Sequence, residues 1–592
     1  MNFKTLRIPL LGILGIIFSV CAYQMTQLPL WGHRPLVLFG SFWAFFVLLV
    51  APKFSKLPQN YRLLGLATLS GLLLGFGFPV SPLTPLMFIG FIPLLMIEKE
   101  IAEERTDTNK KDVLKYVYHA FVIWNIISTY WVSNSASFVA GIIAIWLNAA
   151  FMSVPFLLFH QTRKIMPRDF MYLAFIVNWL TWEYFDLRWE VSWPWLTLGN
   201  SFAQYPSWVQ WYEYTGVFGG SLWILLVNLL IFRWLIVPKY YEKSAIGKIN
   251  PIKLALLISM PIGFSLGLYS GYTEKGTPVE IVVVQPNFEP HYQKFTVPKN
   301  VQLDRFLELS KSKLTQNTEY LVFPETSFGS FDRDNLNRSE IIQKLRQLID
   351  DYPKLKLITG ISAFKRYAKN EPLGNAMRRQ VNQRTGEVIN WEAYNAAIQL
   401  ESGNTDIQFY KKAKFVPGAE IFPYPSFFFF AEPIVDKLGG TLAGYGYQEK
   451  RTPFSSQTGN VGAAICYESV YGEYYTGYVK EGANAIFIVT NDGWWDNTPG
   501  YKQHLKFASL RAIETRRPIA RSANTGITAF INQRGDIEQP TNYEEATAIN
   551  GTILFNDAPT IYVTWGDLIG RVAIFAFLLL LLNTFVKGIL KK

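Results

Sequence analysis

The chain has 592 residues, of which 50% are hydrophobic and 17% charged, against about 25% charged in an ordinary soluble domain. That deficit, with apolar residues gathered into long runs, excludes a purely soluble protein and favours a membrane block plus one large soluble domain. Two cysteines and five histidines without HExxH spacing leave no multi-cysteine or zinc-type site, so no cofactor and no metal is expected, and the formal charge of +11 has to be located before it is read as a nucleic-acid footprint.

In chain order, a bilayer core about 30 Å thick takes about 20 apolar residues per helix. Ten runs approach that size: 7–25, 35–51, 62–80, 83–97, 115–133, 137–160, 170–186, 215–236, 253–271 and 565–587. The fourth and seventh are the shortest. Lys4 and Arg7 precede the first run as in a signal peptide, but no small-residue cleavage site follows Cys21, so it reads as a retained helix. Basic residues then fall in alternate loops. Lys53, Lys56 and Arg62, Lys99 to Lys115, Arg163 to Arg168, Arg233 to Lys253 and Lys587 to Lys592 share one side, while the intervening short loops hold little beyond Arg34 and Arg188. The positive-inside rule places both termini in the cytoplasm and residues 272–563 outside. The net charge is a topology signal, and no nucleic-acid partner is expected.

The outer-side loop from Glu183 to Gly216 holds Trp189, Trp193, Trp195, Trp208, Trp211, Tyr212 and Tyr214. An interfacial aromatic belt is the first expectation; a wall of a lipid-access site is the sharper one.

From Val279 the texture becomes short β-rich runs alternating with amphipathic stretches, the pattern of an α/β domain. Strands are predicted at 279–285, 319–325, 355–362, 394–400, 462–468, 485–492, 518–524 and 527–531, and helices near 298–315, 339–351, 469–481 and 501–516. Glu325 follows one apolar run, Lys412 lies in FYKKAKFVPGAE, and Cys466 closes GAAIC. A carboxylate, an amine and a thiol at strand ends supply a base, a cationic donor and a nucleophile for acyl transfer. From spacing alone a buried cysteine is as readily a small core hydrophobe, and Glu or Lys after a strand a solvated loop residue.

FPETS (324–327 with Phe323), Lys412 ahead of FVP with Glu420 behind it, and ICYES resemble the three catalytic segments of the nitrilase superfamily. TNDGWW (490–495) and QHLKFASLRAIETRRPIARSANTGITAFINQRGD (503–536), with GLLLGFGFPVSPLTPLMFIGFIPLL (71–95) and WPWLTLGNSFAQYPSWVQW (193–211), are similar to its membrane-embedded apolipoprotein N-acyltransferase branch. The likeness covers nearly everything after residue 60. It implies a multi-span α-helical bundle carrying an extracytoplasmic αββα nitrilase-like domain. The expected domains are two additional N-terminal transmembrane helices over 1–60, the bundle over 61–271, the catalytic domain over 272–563, and a last transmembrane helix with its tail over 564–592.

By this resemblance Glu325 is the general base, Lys412 the oxyanion stabiliser and Cys466 the nucleophile. Glu420 positions Lys412, and the backbone N–H of Tyr467 shares the oxyanion. Glu468 beside it and Asn395 are expected in supporting roles, and Asn491 at a polar site wall or in a structural turn. The family's usual Pro-Phe-Gly-Glu reads Pro417, Gly418, Ala419, Glu420 here, and Lys411 and Lys414 flank Lys412, so the lysine assignment rests on its spacing to Val416 and Pro417. The implied partners are a phospholipid acyl donor, a diacylglyceryl apolipoprotein acceptor and membrane lipid, in the inner membrane of a bacterium with the catalytic domain in the periplasm. The apolar segment from Pro425 to Tyr447, with Phe427 to Phe430, either dips into the outer leaflet or is core. GFSLG (263–267) matches a nucleophile-elbow pattern but lies inside a predicted span, where small residues pack helices. Cys21 is expected to pack or face lipid, and His504 to be a satisfied structural histidine. Two rival readings are a membrane-tethered amidase or carbamoylase, and a nonenzymatic scaffold or transporter.

Overall fold

The computed structural model describes residues 3–54, 58–104, 112–135, 138–163, 166, 171–236, 250–374, 376–381, 384–427 and 444–590. The N-terminal part is helical: α1 (Phe3–Gln27), α2 (Arg34–Phe54), α3 (Pro58–Gly77), α4 (Ile92–Lys99), α5 (Val113–Thr129), α6 (Phe138–Thr162), α7 (Leu173–Asp186), α8 (Tyr212–Thr215), α9 (Val217–Ile236) and α10 (Pro251–Gly271). Among the described residues six helices are long and apolar enough to cross a membrane: those containing Leu6–Gln27, Arg34–Pro52, Gly141–Thr162, Val217–Ile236, Pro251–Gly271 and Leu568–Lys587. The chain is a membrane protein. The predicted run at 83–97 is not one helix, because Pro85 and Pro93 each open a separate segment, the 3-10 turn Thr84–Phe88 and the short α4; proline is accommodated in a first turn and breaks what precedes it. GFSLG lies within α10, a continuous helix, and forms no elbow. Cys21 is buried in α1, its thiol donating to the Arg34 carbonyl.

Beyond α10 the chain builds two sheets. The first has the order β14-β1-β2-β4-β6-β5, with β3 on β4 and β7 on β6; its members are β1 (Thr277–Gln285), β2 (Tyr320–Val322), β3 (Ser330–Asp332), β4 (Lys356–Arg366), β5 (Arg378–Val381), β6 (Val388–Glu401), β7 (Asn404–Lys411) and β14 (Thr547–Phe555). The second runs β13-β12-β11-β10-β9-β8, from β8 (Phe454–Ser455), β9 (Asn460–Ile465), β10 (Ala485–Thr490), β11 (Ile519–Ala523), β12 (Ala529–Ile531) and β13 (Ile537–Glu538). Strands β1, β2 and β4 are parallel neighbours, as are β9, β10 and β11.

Side-chain alternation assembles the layers. Val279, Ile281 and Val283 of β1 pack between the sheets with Ala463, Ile465 and Phe487. Val282 and Val284 point the other way, onto Leu303 and Phe306 of α11 (Lys299–Lys311) and Ile342 and Leu345 of α12 (Glu340–Asp350). Helices α13 (Gly472–Lys480) and α14 (Pro499–Thr515) cover the second sheet, giving an α-β-β-α sandwich. This outer layer is also the seat on the membrane bundle: Tyr467, Val470, Tyr471, Phe507, Leu510 and Ile513 belong to the same apolar core as Trp131, Trp195 and Phe218. A short helix, α15 (Ile561–Trp565), then leads into α16 (Leu568–Leu590).

The aromatic loop is interior in part, with Trp189, Trp193, Trp208 and Trp211 half-buried and Tyr214 exposed. Trp195 and Tyr212 are fully buried, and Trp195 stacks among Trp131, Trp193 and Trp495 with its Nε1 donating to Gln503 at 2.6 Å. Trp193 and Trp195 thus form a mortar between bundle and sandwich, where the interfacial belt was expected. Phe427 is 72% exposed; Phe428 to Phe430 lie outside the described residues.

Candidate active site

Three strand ends meet beneath the sandwich. Glu325 sits in the turn after β2, where the chain presses so closely on β4 that a Cβ at Gly360 would come within 2.6 Å of the Glu325 Cα. Glycine is required there for that approach. Lys412 directly follows β7, anchored by its backbone N–H to the Asn395 carbonyl at 2.9 Å. Cys466 follows β9 with φ of +48°, a left-handed conformation that a non-glycine residue adopts at a cost. It opens a 3-10 turn over Cys466–Val470 that feeds α13, so the thiol is set on a sharp strand-to-helix elbow.

The site is dry. Relative exposures are 6% for Glu325, 1% for Lys412 and 8% for Cys466. In that setting each charge needs partners. Lys412 Nζ donates to Glu420 at 2.7 Å and to Glu325 at 3.2 Å. Burial opposes its charge, yet Glu325 and then Glu420 outweigh this and hold the ammonium well above the usual lysine range. Asn395 Nδ2 bridges the same two carboxylates at 2.8 and 3.0 Å, and Glu420 accepts from the Val416 N–H at 2.9 Å. Burial pushes the Cys466 thiol up; Glu325 adds to this, while Lys412 and a hydrogen bond with Thr490 act against it. The resting group is a neutral thiol, and to act as a nucleophile it would have to lose its proton on attack.

Glu468 ties the elbow to the lysine loop. It accepts from the Ile465 N–H at 2.9 Å and the Ala413 N–H at 2.8 Å, and from the hydroxyls of Tyr410, Tyr474 and Tyr478. Tyr467 sits with its side chain down into the bundle, its hydroxyl donating to the Ser192 carbonyl at 3.1 Å, and leaves its backbone N–H at the start of the turn, where such groups lack partners within the turn itself. Asn491 accepts from Asn524 at 3.0 Å and belongs to the wall behind the elbow. His504 is held between Asp492 at 3.0 Å and Ser469 at 2.8 Å, as a satisfied buried histidine.

Two groups at the site escaped sequence reading. Lys294, in the loop after β1, is buried and donates to the Glu325 carbonyl at 3.1 Å and the Thr326 hydroxyl. Burial pushes it down to about 8 against the opposing pull of Glu325 and Cys466. Thr490, at the end of β10, stands by the thiol and donates to Asp492 at 2.8 Å. Neither carries a sequence signal, since a lone Lys in a polar loop and a Thr ending a strand are commonplace.

A two-sheet sandwich with Glu, Lys and Cys at converging strand ends, carried on apolar helices, defines a membrane-embedded member of the nitrilase superfamily. Residues 281–558 match the carbon-nitrogen hydrolase family, and residues 70–230 match the apolipoprotein N-acyltransferase N-terminal domain. The chain is 28% identical to the apolipoprotein N-acyltransferase of Chlorobaculum tepidum over 86% of its own length and 94% of that protein. To that of Geobacter metallireducens it is 24% identical, over 87% and 94%. A solved branch 10 member of the nitrilase superfamily from Saccharomyces cerevisiae shares 15% identity, covering 48% of this chain and 93% of its own with a TM-score of 0.33. The chain belongs to the apolipoprotein N-acyltransferases, membrane acyltransferases of that superfamily.

Proposed function

We propose that this protein transfers an acyl chain from a phospholipid to the free α-amine of the S-diacylglyceryl cysteine of apolipoproteins, by a ping-pong route through a thioester on Cys466. The observation that carries this reading is the position of the Cys466 elbow. Its neighbours Tyr467, Val470 and Tyr471 are part of the apolar core shared with the helical bundle, which supports a nucleophile that works against the membrane part on a lipid substrate rather than on a soluble amide.

In the first half-reaction the Cys466 thiol gives its proton to Glu325 while sulfur attacks the ester carbonyl. Lys412 and the Tyr467 N–H stabilise the tetrahedral oxyanion. Collapse breaks the C–O bond, and the leaving lysophospholipid takes the proton from Glu325. In the second, the lipoprotein amine attacks the thioester, Glu325 accepts a proton from nitrogen, and collapse returns it to the departing sulfur to yield the amide. Glu420 and Asn395 hold Lys412 and Glu325 in register, and Glu468 fixes the two loops relative to each other. Exclusion of water protects the thioester from hydrolysis. No step calls for a metal or cofactor. The distribution of Lys and Arg supports an inner-membrane topology with both termini cytoplasmic and the sandwich in the periplasm. The expected parts are helical additions over 1–60, a bundle over 61–271, the catalytic domain over 272–563 and a last span over 564–592.

The test uses detergent-purified protein, phospholipid and a diacylglyceryl-cysteine peptide with a free amine, followed by mass spectrometry. One acyl group added to the α-amine is expected. An unchanged peptide with Cys466-dependent release of fatty acid would instead mark a tethered hydrolase.

A further inference from the structure

Beside the lysine loop, lined by Ala413 and Lys414, lies a cavity of about 580 Å³, within the range of small-ligand sites. It lies between the end of α7 and the start of the apolar α16: Leu187 and Arg188 follow α7, and Asp567 and Arg571 frame the start of α16. Five cations line it against three carboxylates. Arg188 and Arg571 are neutralised by Glu473, and Arg188 also by Asp567. Lys414 and Arg451 have no such partner among the described residues. Lys414 Nζ reaches only the Leu187 carbonyl, at 3.4 Å, and the faces of Tyr471 and Tyr474. Arg451 lies over Tyr474, donates to the Glu449 carbonyl and leaves Nε buried without a hydrogen-bond partner. Lys414 is half-buried, with Arg188, Arg451 and the Glu468 carboxylate all acting on it, and the two cations outweigh the one carboxylate. Such an arrangement is costly unless an anion completes it.

Below the cavity, α16 presents Leu568, Val572, Phe575, Leu579 and Leu582 exposed on one helical face, and its apolar length suits a bilayer crossing. Cations at the head of an exposed apolar stripe match a lipid with its phosphate up and its chains down. The cavity also joins the chemistry. Lys414 is two residues from Lys412, and the Ala413 N–H between them binds the Glu468 carboxylate that also fixes Ile465, next to Cys466.

We propose that the cavity formed around Lys414, Arg451, Arg188 and Arg571 binds the phosphate of the glycerophospholipid acyl donor, with its chains along α16. This rests on the acyltransferase reading and names the part of the donor the protein recognises. Inorganic phosphate shares the chemistry but not the tails.

The test uses the full chain in mixed micelles and follows Cys466 thioester formation by mass spectrometry from two donors with the same esters, palmitoyl-oleoyl phosphatidylethanolamine and palmitoyl-oleoyl diacylglycerol. Arg451→Gln and Lys414→Gln are each expected to raise KM for the phospholipid about tenfold, the size of one lost charge-assisted hydrogen bond. The preference for phospholipid over diacylglycerol should shrink by the same factor. Because the ratio is internal to each variant, a partly unfolded preparation does not mimic the result. An unchanged ratio in both variants overturns the assignment, and does so even if inorganic phosphate stabilises the wild type. If the wild type forms no thioester from either donor, it is the acyltransferase reading that fails. Native mass spectrometry then reads the cavity alone: bound phospholipid retained by the wild type and lost from Arg451→Gln supports the site, and equal retention overturns it.

Discussion

Lys412 and Lys414 lie two residues apart on one loop and in opposite electrical surroundings. Lys412 faces two carboxylates and is held firmly charged. Lys414 is half-buried, and desolvation and then the charges of Arg188 and Arg451 push it down from the usual lysine range against the weaker pull of Glu468. A cation already matched by fixed carboxylates is part of the protein's own framework, available to an oxyanion only as that charge develops. An unmatched one is a demand for an external anion. On the proposed reading the two faces of this loop separate chemistry from recognition, although the residue type does not distinguish them.

The comparison can be broken most severely at the chemistry. Cys466→Ala is expected to abolish thioester formation and transfer, by about 10⁴-fold or more, and mass spectrometry that finds full transfer in this variant would sink the mechanism. Lys412→Met should slow thioester formation by about 10²- to 10³-fold and, by stranding Glu325 and Glu420 as buried unpaired carboxylates, destabilise the fold by about 3–5 kcal/mol. Lys414→Leu has the opposite sign for stability: removing a half-buried cation on which two other cations act more strongly than the Glu468 carboxylate should leave the denaturation temperature of the lipid-free protein unchanged or raised. Equal losses for the two lysine variants would erase the distinction drawn here.

Two smaller effects sharpen it. Lys294 keeps its charge below about 8 and loses it as pH rises through that value, so the rate of thioester formation should fall on the alkaline side. Lys294→Met should lower the plateau about tenfold and remove that limb; a limb that persists in the variant assigns it to another group. Glu468→Gln keeps the shape but gives up charge-assisted bonds to two loop N–H groups, for which a loss of about 1–2 kcal/mol and a few-fold fall in rate are expected.

Much of the sandwich can be read from local pattern. The β-rich run ending at Gln285 and the apolar runs ending near Thr490 and Ala523 form strands, and amphipathic stretches near 340–350 and 499–515 form helices. Strand β7 is harder to see, because NTDIQFYK is half exposed and polar at its start; it exists by pairing with β6. GAAICYE (462–468) reads as one strand, yet β9 stops at Ile465, since the elbow is imposed by the turn that follows and by Glu468 reaching back to the Ile465 N–H.

Hydropathy has a different limit. The windows in α1 and α9 are both apolar enough to cross a membrane, yet the first is 6% buried within the protein and the second 67%; lipid and protein interior are equally apolar, so composition cannot tell them apart. The same indifference makes the loop around Trp195 look like an interfacial belt when its indoles are packed against Trp131 and Trp495. What the sequence by itself determined is therefore the membrane character, the α/β texture and the placing of Glu325 and Cys466 at the ends of apolar runs, because these follow from periodicity and from residues close in the chain. Only the tertiary structure decided that Glu325 meets Lys412 across 87 residues, that Lys294 lies against the Glu325 turn, and that Lys414 is left among cations, because such contacts are set by strand order and by which side chains share a desolvated space.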